Sequence, residues 1–273
     1  VKELNNRNYT VVGVDIEDMD ITDYSSVEGV LTKEKPDVVV HCAAWTAVDL
    51  AEDEENREKV HLVNAVGTEN IAKVCKMIDC KMIYISTDYV FDGQGTRPWE
   101  PDDERNPLNV YGQTKYEGEL AVERWLDKYF IVRISWVFGI NGKNFVKTML
   151  NLGKTHDKLT VVDDQIGSPT YTYDLAKLLA DMAETDKYGR YHATNEEICS
   201  WYDFACEIFR QASKYDSAYK NIVVSPVDSS AYPAKAKRPS NSRMSKDKLT
   251  ENGFAKLPTW QDATERYIKE LER

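Results

Sequence analysis

Lys81-Met82-Ile83-Tyr84-Ile85-Ser86-Thr87-Asp88-Tyr89-Val90-Phe91 reads as a buried strand that ends in hydroxyl residues. Asp37-Val38-Val39-Val40-His41-Cys42-Ala43-Ala44 and Phe130 to Gly139 are further near-continuous apolar runs. Runs without alternation suit parallel strands covered on both faces. Helical stretches separate them, over Tyr24 to Lys35, Arg57 to Met77 and Tyr111 to Leu126. Asp20-Ile21-Thr22-Asp23 caps the first of these, with Thr22 or Asp23 as N-cap, and Pro36 ends it. Tyr9-Thr10-Val11-Val12-Gly13-Val14-Asp15 is expected to be one more strand, ending in an acid. Strands alternating with helices predict an α/β fold with a doubly wound, Rossmann-type parallel sheet.

Beyond Gly139 the pattern loosens. A helix is expected over Asn144 to Lys154, with Phe145, Met149 and Leu152 on one apolar stripe. A short strand follows at Leu159 to Val162, then a turn-rich loop from Asp163 to Thr170. The Asp174 helix, a strand near Tyr191 to Ala193, and a helix capped by Ser200 come next. Ser225 to Arg238 reads as irregular and ends in the basic cluster Lys235-Ala236-Lys237-Arg238, before a last helix from Thr259 to Leu271.

The 273 residues carry a formal charge of −11, which argues against general nucleic-acid binding. No apolar run is long enough to span a bilayer, so no membrane partner is expected. Five cysteines without regular spacing fit free thiols in a reducing cytoplasm. Cys75 and Cys80, with His41 and Cys42 as the only further ligands nearby, read as buried thiols, so no metal site is assigned.

In open parallel sheets ligands gather at the carboxyl ends of the strands, which places Thr87 at a site. Tyr111 and Lys115 lie one helical turn apart on one face. An ammonium near a phenol lowers its pKa, so Tyr111 could pass a proton to a carbonyl oxygen near neutral pH. Thr87 could hydrogen-bond the same oxygen. Asp15, at the end of its strand, suits the ribose hydroxyls of a dinucleotide. No Lys or Arg occurs between Gly13 and Tyr24 to receive a 2′-phosphate, which favours NADH over NADPH. Ala43 and Ala44 are small enough for a cofactor to approach the backbone.

A strand-end Thr followed by Tyr-x-x-x-Lys resembles the extended short-chain dehydrogenase/reductase superfamily. His41 to Asp49, Ser86 to Gly93, Asn109 to Lys115, Val132 to Gly139, Asn144 to Met149, Asp164 to Thr170 and Arg238-Pro239 together resemble the dTDP-4-dehydrorhamnose reductase family over nearly the whole chain. The resemblance implies reduction by NADH or NADPH of the C4 ketone of dTDP-6-deoxy-L-lyxo-4-hexulose. It implies Thr87, Tyr111 and Lys115 as the catalytic set, Lys115 also binding the nicotinamide ribose. Asp15, Asp20, Ile21, Ala43, Ala44 and Thr46 would line the cofactor. Val48, Thr87, Asp88 and Trp136 would lie near the sugar, with Asn144, Gln165 and Arg238 on the diphosphate side. The Arg238 fork has the chemistry to grip phosphate oxygens bidentately. Residues 1–139, with a returning strand near 190–194, would then hold the dinucleotide, and residues 140–273 the nucleotide sugar. Some members of the family form a magnesium-linked homodimer; a homodimer is admitted here, but no acids can be assigned to Mg2+. The rival readings are a nucleotide-sugar epimerase, a dehydratase, the latter disfavoured because Asp88 is followed by Tyr89, and a non-catalytic regulatory subunit related to the methionine adenosyltransferase partner.

The family's glycine-rich pyrophosphate loop is not found in the sequence. It belongs between a first, central strand and a helix whose tail Val1 to Asn8 resembles. The expectation is that a βα unit of about 20–25 residues precedes Val1 in the parent protein, because a sheet lacking its central strand would bury unpaired backbone groups.

Overall fold

The structure is a computed structural model and describes residues 1–272. Its helices are α1 (Lys2–Asn6), α2 (Tyr24–Glu34), α3 (Glu54–His61), α4 (Gly67–Met77), α5 (Val110–Trp125), α6 (Phe145–Gly153), α7 (Thr172–Ala183), α8 (Trp201–Ala212), α9 (Asp247–Glu251) and α10 (Trp260–Leu271). Its strands are β1 (Val38–His41), β2 (Lys81–Thr87), β3 (Tyr129–Ile134), β4 (Val137–Phe138), β5 (Lys158–Val162), β6 (Ile166–Gly167), β7 (Thr170–Tyr171), β8 (Gly189–His192), β9 (Cys199–Ser200) and β10 (Val223–Val227). The main sheet has the order β1-β2-β3-β8, and every pair is parallel. This is the expected α/β class.

The alternation of side chains along β2 explains why it needs an apolar run. Met82 and Tyr84 pack with Ile131 against α4 and α5, through Ile71, Val74, Cys75 and Val122. Ile83 and Ile85 face the other way with Phe130 and Val132, against Leu175, Leu178 and Met182 of α7. Successive residues point to opposite faces, so a strand between two helical layers must be apolar at every position. A third cluster joins α6, α8 and α10 through Phe138, Tyr171, Phe204, Ile208, Trp260 and Tyr267. β5 and β10 form a separate parallel pair beside it.

Three expectations are corrected. Tyr9–Asp15 is not a strand: it is largely exposed, and no strand among the described residues pairs with it. Phe130 to Gly139 is not one strand either. The chain leaves β3 at Ser135, and Trp136 adopts a left-handed φ of 50°. β4 then pairs with β7, outside the main sheet. Finally, Ser225 to Val227 is regular and belongs to β10; Pro226 is tolerated because the pair is two-stranded and its missing N–H falls at an edge.

The Arg57 to Met77 helix is interrupted by a π-helical turn at Leu62–Val66. Its buried Asn64 accepts from the Trp45 N–H at 2.8 Å and donates to the Trp45 carbonyl at 3.2 Å. The loop after β1 is therefore fastened at its middle.

Candidate active site

The end of β2 delivers Thr87 and Asp88, both buried. The Thr87 hydroxyl accepts from the Tyr89 N–H at 3.2 Å and donates to Asp88 Oδ1 at 3.1 Å, closing a short turn over Asp88–Val90. α5 begins beside it. Asn109 caps that helix by accepting from the Gly112 N–H at 2.8 Å. At Gly112 a Cβ would lie 2.2 Å from the Tyr89 carbonyl oxygen, so only glycine lets the first turn of α5 sit on the turn after β2. That contact brings Tyr111 to Thr87.

Burial pushes the Tyr111 phenol up to about 12; the nearby Thr87 hydroxyl opposes the shift and Asp88 adds to it. The expected lowering by Lys115 is not what the structure shows. The Lys115 ammonium donates to the Ile85 carbonyl at 2.8 Å and sits 4.1 Å from the centroid of the Tyr84 ring. Burial pulls this ammonium down to about 7, with Glu119 and then Cys42 opposing. Tyr111 therefore holds its proton at neutral pH, the state a general acid requires.

Asp88 is pushed up to about 6 by burial, against the hydroxyls of Ser242 and Thr87. Its Oδ2 is buried without a hydrogen-bond partner among the described residues. Trp136, at the end of β3, is half-buried and stacks on Trp201 at 3.9 Å. A left-handed backbone at a large aromatic residue is strained, and such strain gathers at ligand sites.

Other expected site residues fall in several places. Ala43, Ala44 and Thr46 form the fastened loop after β1, with Ala43 and Thr46 exposed; Val48 is half-buried further along. Asp15 lies in a turn rather than at a strand end, its Oδ1 accepting from the Ile16 N–H at 2.8 Å. Asp20 accepts from the Thr22 N–H and hydroxyl at 2.9 and 2.7 Å, and the Ile21 carbonyl accepts from Asn70, so both shape the entry to α2. Asn144 is engaged at both ends of its amide. It caps α6 at Lys147 and donates to the Gly139 carbonyl and the Tyr267 hydroxyl, which leaves little for a diphosphate. Gln165 is half-buried just before β6.

Arg238 is exposed and pairs with Asp49 at 2.5 Å, while neighbouring Lys235 pairs with Asp53 at 2.6 Å. The Asn109 amide holds the Lys237 carbonyl at 2.8 Å, so this basic loop is fixed to the start of α5. Tyr89 links the two regions: it feels the charges of Arg238 and Asp49 and meets the Tyr111 ring edge-on at 5.5 Å. Tyr89 and Asp49 lie in stretches that carry the resemblance but were given no role at the site, and Ser242 and Trp201 lie outside those stretches. No motif marks Ser242 or Trp201, because they reach the site through packing between distant segments.

The arrangement fits the nicotinamide end of a dinucleotide. Lys115 spends one of its three donors on Ile85 and has two left for ribose hydroxyls. The small residues Ala43 and Ala44 follow the neighbouring strand end. Among the described residues, no three His, Cys, Asp or Glu side chains gather as metal ligands. No helix there is long and apolar enough to cross a membrane.

Comparison with known proteins agrees with this geometry. The family model for the RmlD substrate binding domain matches residues 1–273. The dTDP-4-dehydrorhamnose reductase of Escherichia coli is 40% identical over 261 residues, covering 91% of this chain and 85% of that protein. The crystal structure of dTDP-4-dehydrorhamnose reductase from Bacillus anthracis, in complex with NADP, superposes with a TM-score of 0.91 at 40% identity, covering 98% of this chain and 93% of that one. A dTDP-4-dehydrorhamnose reductase from Clostridium acetobutylicum superposes at 0.93 with 41% identity, covering 100% and 94% of the two chains. The tyrosine, lysine and threonine gathered at the end of β2 thus stand in a chain that belongs to the RmlD family of dTDP-4-dehydrorhamnose reductases.

Proposed function

We propose that this chain reduces the C4 ketone of dTDP-6-deoxy-L-lyxo-4-hexulose to dTDP-L-rhamnose, using NADH or NADPH. The observation that carries the reading is Tyr111 seated on the turn after Thr87, its ring edge-on to Tyr89 at 5.5 Å, with a lysine ammonium held one turn along the same helix. The reduced nicotinamide supplies the hydride. As negative charge grows on the C4 oxygen, Tyr111 gives that oxygen its proton. The Thr87 hydroxyl donates a second hydrogen bond to it. Lys115, anchored on Ile85, orients the cofactor ribose. A donor placed in advance at a developing oxyanion is worth about 3 kcal/mol. Asp88 and Trp136 bound the sugar, with Val48 on the opposite rim. Arg238 takes the diphosphate by exchanging Asp49 for phosphate oxygens, and Gln165 supports it.

Residues 1–139 and the returning strand β8 form the dinucleotide side of this reading, and residues 140–273 the nucleotide-sugar side. The segment between Gly13 and Tyr24 holds five acids and no base, which favours NADH, although the Bacillus anthracis relative is solved with NADP. Five free thiols suit a reducing cytoplasm. A homodimer is compatible with the reading, and sedimentation of the purified chain tests it.

The deciding experiment follows absorbance at 340 nm with NADH or NADPH, on addition of the 4-keto dTDP sugar. Stoichiometric oxidation with formation of dTDP-L-rhamnose is the expected result. Isomerisation without net oxidation points instead to an epimerase, and no turnover to a regulatory subunit.

A further inference from the structure

Three places at and just beyond the end of β2 are each held by a different part of α5. The Ile85 carbonyl accepts from Lys115 at 2.8 Å. The Ser86 hydroxyl donates to Glu119 Oε1 at 2.6 Å. Just past Thr87, Tyr89 meets the Tyr111 ring edge-on at 5.5 Å and its carbonyl oxygen packs against Gly112. Tyr111, Lys115 and Glu119 are spaced by four residues, so they rise along one helix face. Ser86 points to that face as Tyr84 does two residues earlier, the parity a strand imposes.

Of the three grips, the middle one is anchored most firmly. Glu119 and Arg133 are both fully buried. Arg133 forks onto the carboxylate through Nε at 2.8 Å and Nη2 at 2.7 Å, and Arg105 adds a bond at 3.0 Å. Arg133 also donates to the Pro101 carbonyl at 2.8 Å and lies over the Phe91 ring at 4.9 Å. The same guanidinium therefore ties down the loop that runs from the end of β2 to the start of α5. A buried ion pair adds little net stability compared with an apolar packing of similar volume, so stability alone does not account for it. What it does supply is a fixed acceptor. The carboxylate cannot turn away from Ser86 without breaking its bonds to two arginines.

We propose that Ser86 and Glu119 are positioning residues for the reduction. The arginine-clamped carboxylate sets the register of the β2 end against α5, and through Ser86 it sets the approach of Thr87 to Tyr111. The inference rests on the reading of Tyr111 as the proton donor. Neither residue touches the reacting atoms. Their effect appears in the catalytic step and not in ligand affinity.

The test is Ser86→Ala in the full chain, with kcat, both KM values and Tm measured together. The expected result is a kcat lower by roughly ten-fold, the scale of a small misplacement at a reacting centre, with both KM values within about two-fold of wild type. Ser86→Thr returns the hydroxyl and restores most of the loss. Glu119→Gln keeps an acceptor for Ser86 but loses the charge. It lowers Tm more than Ser86→Ala and kcat less. A Ser86→Ala enzyme with wild-type kcat overturns the proposal, as does a kcat that simply follows Tm across the three variants. Failure of the underlying reading is seen separately, as an active Tyr111→Phe enzyme.

Discussion

At the residue scale the proposed chemistry rests on a phenol that keeps its proton. Tyr111 is pushed up to about 12 chiefly by burial, so it is a donor over the whole physiological range. Tyr111→Phe is expected to lower kcat by about 10²–10⁴-fold, the usual reach of a positioned acid, with the dissociation constant for NADH little changed. Fluorescence titration and steady-state rates check both halves. Asp88 is a different kind of group. Burial lifts its carboxyl to about 6, and one oxygen is unpaired inside the cleft. Above that value it is ionised and accepts hydrogen bonds; as pH falls through it, the acceptor is lost. The profile of kcat/KM for the nucleotide sugar should therefore fall below about pH 6, and Asp88→Asn should erase the break. Arg238 forms an exposed ion pair with Asp49, and such pairs are worth only about 0–1 kcal/mol, so a phosphate can displace the partner. Arg238→Ala is expected to raise KM for the nucleotide sugar by about ten-fold, the loss of a charge-assisted bond, and to leave KM for the dinucleotide unchanged. Unchanged KM for the sugar would rule out that role.

At the scale of elements, the site depends on one helix seated against one turn. Gly112 lets α5 approach the Tyr89 carbonyl, where any Cβ would collide with backbone. Gly112→Ala should cost about 1–3 kcal/mol, the usual range for overpacking, and should lower activity further than stability because it lifts Tyr111 from Thr87. Thermal melts set beside kcat measure the two effects. The same elements show what could be read in advance. β2 and α5 were legible because burial on both faces forces apolar runs and an amphipathic helix repeats every turn. Thr87 and Tyr111 were legible because strand ends and helix spacing are local. Tyr9–Asp15 looks equally like a strand, but a strand exists only with a partner beside it, and pairing is not a local property. The break at Trp136 was hidden for a similar reason. Its left-handed φ goes with a stack on Trp201 and a close approach to Gly167, residues that lie far along the chain. The Lys115 ammonium was expected beside the phenol from spacing alone, whereas the carbonyl it reaches belongs to another element.

Across the whole molecule, the Glu119–Arg133–Arg105 cluster joins β3, α5 and the loop above the site. Burial would raise the Glu119 carboxyl, but Arg133 overcomes it and holds the group well below the usual carboxylate range. The folded-state value is depressed, so the stabilisation is present above the unfolded value of about 4.3 and is lost as pH falls through the folded one. Melting temperature should therefore drop on acidification below about pH 4, and Glu119→Gln should flatten that slope while costing about 3–5 kcal/mol at neutral pH. Lys115 carries a penalty instead: burial depresses its ammonium to about 7, so the group opposes folding fully below that value, and the penalty shrinks as pH rises from 7 towards the unfolded value of about 10.4. The Trp136–Trp201 stack, described above as a source of backbone strain, also has an optical consequence. Two indoles at 3.9 Å couple their electronic transitions, so circular dichroism carries an intrinsic signal from the segment just after β3, readable without any added dye.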